Sequence, residues 1–238
     1  MTTQPSGQPD LAHVSDWVFD LDNTLYPSSC QLFTQMDARM RSFICSLLSV
    51  DADEAYRLQK LYFREHGTTL SGLMKLHNIA PADFLDHVHD LDVTVIPENP
   101  DLGLALQRLP GRKLVFTNGT VAHAERVLNR LGFAHVFDDI FDIVHAAYHP
   151  KPRQESFSRF VSRHGINPTE TVMFEDLARN LAPAHAMGMT TVLVRPKDGH
   201  GDPAVRHWAE PGAEADHIHY QTEDLAAFLA SVRVRSMT

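Results

Sequence analysis

Residues 17–26 read Trp-Val-Phe-Asp-Leu-Asp-Asn-Thr-Leu-Tyr, and this stretch restricts the chain more than any other. An apolar run ends in two carboxylates, Asp20 and Asp22, separated by a single leucine. Along an extended strand, positions i and i+2 point to the same side. Two like charges aimed into one crevice repel each other, and that cost suggests a purpose. Such a pair can hold a divalent cation, and it can divide the work of nucleophile and general acid. The turn-prone Asn23 and then Thr24 follow, so the chain is expected to turn sharply past the strand. The plain alternative is a strand end followed by a helix cap. Three further pieces downstream weigh against it.

The second piece is Leu114-Val115-Phe116-Thr117-Asn118-Gly119, again an apolar strand, ending in a hydroxyl, an amide and a glycine. Such a turn can offer the Thr117 hydroxyl and backbone N–H groups to an anion, with a helix starting near Val121. The third is His149-Pro150-Lys151-Pro152, in which two prolines stiffen the backbone around one lysine. The fourth is Val172-Met173-Phe174-Glu175-Asp176, a third apolar strand ending in two acids, with Asn180 four residues beyond. Each has an ordinary reading alone: a strand-to-helix turn, a solvated loop lysine, an acidic helix start favoured by the helix dipole. Together they form a site with one logic.

Composition agrees. The chain has 238 residues, 43% of them apolar and 21% charged, as expected of a soluble globular protein holding one domain, or one domain with an insert. No apolar run is long enough to span a bilayer, and the N-terminus lacks a signal pattern, so a cytoplasmic protein is expected. A formal net charge of −9 argues against long nucleic acids bound through a broad basic face. It leaves room for a small anionic substrate, because a metal and one lysine can reverse the field locally. Cys30 and Cys45 are too few for a disulfide framework or a zinc site.

The organisation is α/β with one interruption. A polar tail over 1–12 precedes a first strand at Trp17–Leu21. Residues 28–93 change character: Gln31–Leu48, Ala52–His66 and Pro81–Leu91 show helical spacing and no strand. This insert is expected to be a small helical cap, leaving 13–27 and 94–238 as the core. From Lys113 strand and helix alternate: Lys113–Phe116, Val121–Leu131, Ile140–Val144, Gln154–His164, Thr171–Phe174, Ala178–Met187 and Thr190–Val194. Gly132, Gly165 and Gly188 each follow an expected helix, where a left-handed cap favours glycine. After Arg195 a Gly-, Pro- and His-rich stretch reads as a loop, before a short edge strand at Ile218–Tyr220 and a helix at Thr222–Val232. The alternation implies a doubly wound, mainly parallel sheet with helices on both faces. In such sheets the ligand crevice lies outside the carboxyl ends of the strands, where Asp20, Thr117 and Asp176 would sit.

Asp20-x-Asp22-x-Thr24, Thr117-Asn118-Gly119, Lys151 and Glu175-Asp176, in this order and spacing, resemble the haloacid dehalogenase-like hydrolase superfamily from about Val14 to Val194. Within it, Asp22-Asn23-Thr24-Leu25-Tyr26-Pro27 and Gly67-Thr68-Thr69-Leu70 resemble the pyrimidine 5'-nucleotidase branch. The resemblance implies a Rossmann-like core with a cap that sets substrate choice. It also implies a magnesium-dependent phosphomonoesterase acting on a small phosphorylated metabolite, a pyrimidine nucleoside monophosphate being the specific expectation. Asp20 would be the nucleophile and Asp22 the general acid and base, its proton affinity raised by neighbouring carboxylates. The Asp20 carboxylate, the Asp22 carbonyl and Asp176 would hold Mg2+, with Glu175 in support. Lys151 would neutralise the phosphoryl group and restrain Asp20, and Thr117 with the Asn118 backbone would hold a phosphoryl oxygen.

Leu177-Ala178-Arg179-Asn180 departs from relatives that carry a further aspartate there. Asn180 would hydrogen-bond the crevice backbone or cap a turn. In the cap, Thr68 and Thr69 either face the leaving group or form a helix break with an N-cap threonine. A sugar-phosphate or phosphoglycolate phosphatase, or a phosphomutase on the same scaffold, is the alternative activity. A dehalogenase is disfavoured, since it needs neither Asp22 nor a metal. So is a non-catalytic regulator, which would be expected to lose Asp20, Asp22 or Lys151. His145, His149, His217 and His219 lack a third ligand spaced to complete a transition-metal site. The sequence leaves the oligomeric state open.

Overall fold

The computed structural model describes residues 8–197 and 215–235. Its core is a six-stranded parallel sheet in the order β3-β2-β1-β4-β5-β6. These strands are β1 (Asp16–Phe19), β2 (Arg112–Phe116), β3 (Asp139–Phe141), β4 (Thr171–Glu175), β5 (Thr190–Val194) and β6 (Tyr220–Thr222). Parallel strands need long crossovers, which is why strand and helix alternate in sequence. Both faces of the sheet are covered, so its central strands are apolar throughout rather than alternating.

Side-chain alternation along β1 divides the interior. Trp17 and Phe19 point to one face with Val115, Val172 and Phe174. That face is covered by α5 (Pro100–Gln107), α6 (Val121–Leu131) and α9 (Leu225–Ser231). Val18 points to the other, with Leu114, Phe116 and Met173, under α7 (Gln154–His164) and α8 (Ala178–Ala186). Phe19 and Phe174, paired in register, stack with ring centroids 4.7 Å apart.

The insert folds into α1 (Leu32–Leu48), α2 (Ala52–His66), α3 (Thr69–His77) and α4 (Pro81–Val88). It forms a helical cap on the parallel Rossmann-like core. The start of α2 is fixed by Asp51, whose side chain accepts the Glu54 N–H. Two helices went unanticipated. In α3, Gly67 (φ +85°) ends the preceding helix and Thr68 caps the next, so a segment that looks like a break holds a cap and a helix start. In α5, Asn99 caps and Pro100 occupies the first turn.

β3 stops short of the expected Val144. The Asp142 carboxylate accepts the N–H groups of Val121 (3.0 Å) and His145 (2.8 Å), turning the chain out of the sheet. The edge strand is shifted two residues to Tyr220–Thr222.

Residues 1–7 of the expected tail and 198–214 of the expected loop lie outside the described residues. The end of that tail is packed rather than loose: Leu11 is buried and its N–H donates to the Arg233 carbonyl at 2.9 Å. Among the described residues no helix is long and apolar enough to cross a membrane.

Candidate active site

Parallel pairing of β1 between β2 and β4 brings three of the four sequence pieces to one sheet edge, since Phe19 pairs with both Val115 and Phe174. The next residues out are Asp20 and Glu175, side by side. The Asp20 N–H donates to the Phe174 carbonyl at 2.9 Å, which keeps the nucleophile candidate on the strand axis.

Lys151 joins them from the proline-flanked loop before α7. Its Nζ donates to Asp20 Oδ1 (2.6 Å), Glu175 Oε2 (2.6 Å) and the Phe116 carbonyl (2.8 Å), using all three protons of the ammonium. The side chain is buried. Burial alone would lower its pKa, but Asp20 and Glu175 outweigh that and raise it, so the lysine stays charged. Asn118 fixes the lysine's backbone: its Oδ1 accepts the Lys151 N–H at 2.8 Å and its Nδ2 donates to the Lys151 carbonyl at 3.3 Å. The Asn118 side chain is thereby occupied, leaving its backbone for a ligand. Thr117 is buried beneath this turn, and its Oγ1 accepts the Gly119 N–H at 2.9 Å.

Glu175 accepts three hydrogen bonds. Beyond Lys151, its Oε1 accepts from Leu177 N–H (3.3 Å) and Asn180 Nδ2 (3.1 Å). Asn180 thus braces a carboxylate rather than the crevice backbone. Thr24 donates to Asp20 Oδ2 at 3.2 Å from the turn after β1.

Oxygens of Asp20, Glu175 and Asp176 lie within 4.8 Å of one another. Burial, followed by the charge of Glu175, pushes Asp20 up to about 7 despite Lys151. The same two causes raise Asp176 well above the usual carboxylate range. One lysine therefore does not neutralise the cluster. An oxygen-only donor set with excess negative charge fits a hard divalent cation such as magnesium. Glu175, which accepts three hydrogen bonds, has less room for a cation than Asp20, which accepts two.

Asp22 differs from expectation. Burial raises its proton affinity, but His123 and Tyr26 more than reverse this, and its pKa is lowered. The neighbouring carboxylates were expected to raise it; histidine and phenol donors, not carboxylates, dominate its surroundings. Tyr26 Oη donates to Asp22 Oδ1 at 2.7 Å, and buried His123 Nε2 lies 2.9 Å from the same oxygen. The His123 ring stacks on His89, centroids 4.6 Å apart and planes 14° from parallel. Burial and His123 push His89 down to about 3, so that ring is neutral.

Above these groups lies a cavity of about 160 Å3 between core and cap. Its floor carries Asp20, Asp22, Asn118, Lys151 and Asp176, and much of its wall is apolar: Phe33, Met36 and Met40 of α1, and Phe84, Leu85 and Val88 of α4. Thr68 and Thr69 line it too. Thr68 nonetheless spends its oxygen on the Ser71 N–H as the cap of α3, and the Thr69 hydroxyl is turned to the Gln59 carbonyl. Arg179 enters from the start of α8, with its guanidinium 4.9 Å from the centroid of the Phe63 ring in α2.

Sequence reasoning missed His123, His89, Tyr26 and Arg179, which come from four elements. Only Tyr26, one helical turn after Asp22, carried a local signal. Of the histidines that were weighed, His217 bonds the Ala178 carbonyl and His219 bonds Thr191, both structural pairings.

A family profile described as haloacid dehalogenase-like hydrolase matches residues 18–188. Phosphate metabolism protein 8 of Saccharomyces cerevisiae is 31% identical over 193 residues, which cover 74% of this chain but only 60% of the yeast protein. A glyceraldehyde 3-phosphate phosphatase of Methanocaldococcus jannaschii is 26% identical over 199 residues, 74% of this chain and 83% of that one. Among solved structures, a HAD phosphatase from Thermococcus onnurineus superposes with a TM-score of 0.61 at 18% identity, covering 93% of this chain and all of that one, a likeness of fold.

Proposed function

The chain belongs to the haloacid dehalogenase-like hydrolase family, and from that premise we propose that it is a magnesium-dependent phosphomonoesterase acting on a small sugar phosphate. The observation that carries the chemistry is the Lys151 ammonium clamped between Asp20 and Glu175, with Asp22 beside them. This is a nucleophile restrained by a fixed cation, next to a second carboxylate free to handle a proton.

In the proposed reaction an Asp20 oxygen attacks phosphorus, and the bond from phosphorus to the leaving oxygen breaks. Asp22 delivers a proton to that oxygen, so the leaving group departs as an alcohol. Asp22 then takes a proton from water, which attacks the aspartyl phosphate, frees Asp20 and releases inorganic phosphate. The histidine and phenol beside it keep Asp22 ionised, the form in which it can accept that proton. For the first step, the incoming phosphoryl group brings negative charge beside Asp22 and pushes its proton affinity back up. The backbone at Asn118, with Thr117 beneath, supplies donors for the phosphoryl oxygens, and Lys151, whose three protons are already placed, contributes its positive charge. Magnesium held by Asp20, the Asp22 carbonyl and Asp176 would supply charge neutralisation and orientation of the phosphoryl group.

The substrate class rests on the relatives, one of which is named for a triose phosphate. A second reading, a pyrimidine nucleoside 5'-monophosphate, is favoured by the wall itself. Phe33, Met36, Phe84 and Val88 offer a flat or apolar leaving group more than they offer a polyol. The test is phosphate release from triose, ketose and aldose phosphates, phosphoglycolate, UMP, CMP and AMP, with magnesium and with a chelator. Magnesium-dependent release favouring sugar phosphates is expected. Preference for UMP and CMP would keep the chemistry and change the substrate. No release from any phosphomonoester would overturn the proposal.

A further inference from the structure

We infer that His123 and Tyr26 are positioning residues for the general acid, fixing Asp22 so that one chosen oxygen carries the proton to the leaving group. The inference rests on the phosphomonoesterase reading and adds a role for Tyr26, at the end of the first motif, and for His123, outside all four.

The geometry is asymmetric. Both donors converge on Asp22 Oδ1, from Tyr26 Oη at 2.7 Å and His123 Nε2 at 2.9 Å. Among the described residues nothing bonds Oδ2, although Asp22 lines the cavity. A carboxyl group that accepts two hydrogen bonds on one oxygen has its carbonyl character drawn there. The hydroxyl proton then belongs on the other oxygen, the one left for the substrate. Without these donors the group could rotate about its terminal torsion, which has broad wells, and would present either oxygen. Holding it removes that freedom before the reaction begins.

The ring that does this is itself fixed. His123 lies in the first turn of α6, and its N–H is capped by Thr120 Oγ1 at 3.2 Å. One face stacks on His89, and the Thr120 hydroxyl lies 3.3 Å from His89 Nδ1. A Cβ on Gly119 would come within 3.2 Å of His123 Cδ2, so glycine leaves room for the ring there. His89 directly follows α4, where the cap returns to the core, and Arg126 donates to the carbonyls of His89 and Leu91. The acid's orientation is thus referred to the seam between cap and core.

The test uses leaving groups. Departure of p-nitrophenolate needs no proton, whereas departure of an alkoxide does. The ratio kcat/KM reports events up to loss of the leaving group and excludes hydrolysis of the aspartyl phosphate. Tyr26→Phe and His123→Ala should lower kcat/KM for an alkyl phosphate about tenfold or more and change that for p-nitrophenyl phosphate by less than about threefold. His123→Gln, which restores a donor, should recover part of the loss. Equal losses on both substrates, or none on the alkyl phosphate, would overturn the inference while leaving the enzyme reading intact. If His123→Ala does not fold, Tyr26→Phe, which removes a single oxygen, decides alone. A wild-type protein inert on both substrates would overturn the enzyme reading and this inference with it.

Discussion

Asn118 holds Lys151 by the main chain rather than by its charge, accepting its N–H at 2.8 Å and donating to its carbonyl at 3.3 Å. The turn after β2 therefore sets where the lysine loop sits, and with it the ammonium between Asp20 and Glu175. Asn118→Ala should lower kcat about 10- to 100-fold, because misplacing a reacting or positioning group by about 1 Å can cost up to about 100-fold in rate. Steady-state kinetics with the preferred phosphoester would check it. A variant with unchanged kcat would make the bond incidental.

Asp20→Asn should reduce turnover by roughly a thousandfold or more, as loss of a nucleophile does. The fold should survive, since the substitution removes one charge from a crowded acidic cluster while Glu175 still holds Lys151. Thermal unfolding alongside phosphate release separates the two effects. Residual turnover near the wild-type rate would rule out Asp20 as the attacking group.

Lys151→Met should cost about 3–5 kcal/mol of stability, because it leaves two buried carboxylates facing each other without their cation. Urea denaturation would measure the loss, and saturating magnesium should recover part of it. A change below about 1 kcal/mol would mean that the cluster relaxes into solvent when the lysine is gone.

The raised values of Asp20 and Asp176 have a definite sign. Both carboxyls hold protons more tightly folded than unfolded. Their contribution to the metal-free fold is complete below the unfolded values and is lost for Asp20 as pH rises through about 7. Metal binding requires them ionised, so protons compete with magnesium below that pH. Magnesium should raise Tm more at about pH 8 than at about pH 5.5, read by thermal melts at matched ionic strength. The reverse order would contradict the assignment of these ligands.

Gly72 lies where α3 crosses α2, and a Cβ there would come within 2.4 Å of Tyr62 Cβ. Gly72→Ala gains helix propensity yet must push the two helices apart, a strain of about 1–3 kcal/mol. The cap should therefore loosen, seen as faster amide exchange in α2 and α3 with the sheet unaffected. Protection equal to wild type would show that the helices can slide to accommodate a methyl group.

What could be read from the sequence follows from where each signal resides. Asp20, Glu175 and Asp176 end apolar runs, so strand and carboxylate are written in consecutive residues, and parallel pairing brings the ends together. Lys151 was legible because its flanking prolines mark a loop. The Asp22 environment was not, because Tyr26, His123 and His89 reach it from separate elements. A sequence does not display a stacked pair of rings 34 positions apart. Glu175 and Asn180 were each noticed, but their mutual bond depends on the first turn of α8. In the cap, Gly67-Thr68-Thr69 fits both a helix break and a ligand-facing pair by sequence alone. The structure shows the break, with Thr68 capping α3, and also places both threonines in the cavity lining.

The apolar cavity wall has a consequence for how this protein can change. The acids of the floor, Asp20, Asp22 and Asp176, and the cation Lys151 are rooted in the sheet and its loops, whereas Phe33, Met36, Met40, Phe84, Leu85 and Val88 belong to the insert. Inheritance can therefore act on the two separately. Under the proposed function, substitutions in α1 and α4 would alter which alcohol fits and leave the groups of the floor in place. On that reading a lineage could change its substrate one side chain at a time while the floor that breaks the bond stays as it is.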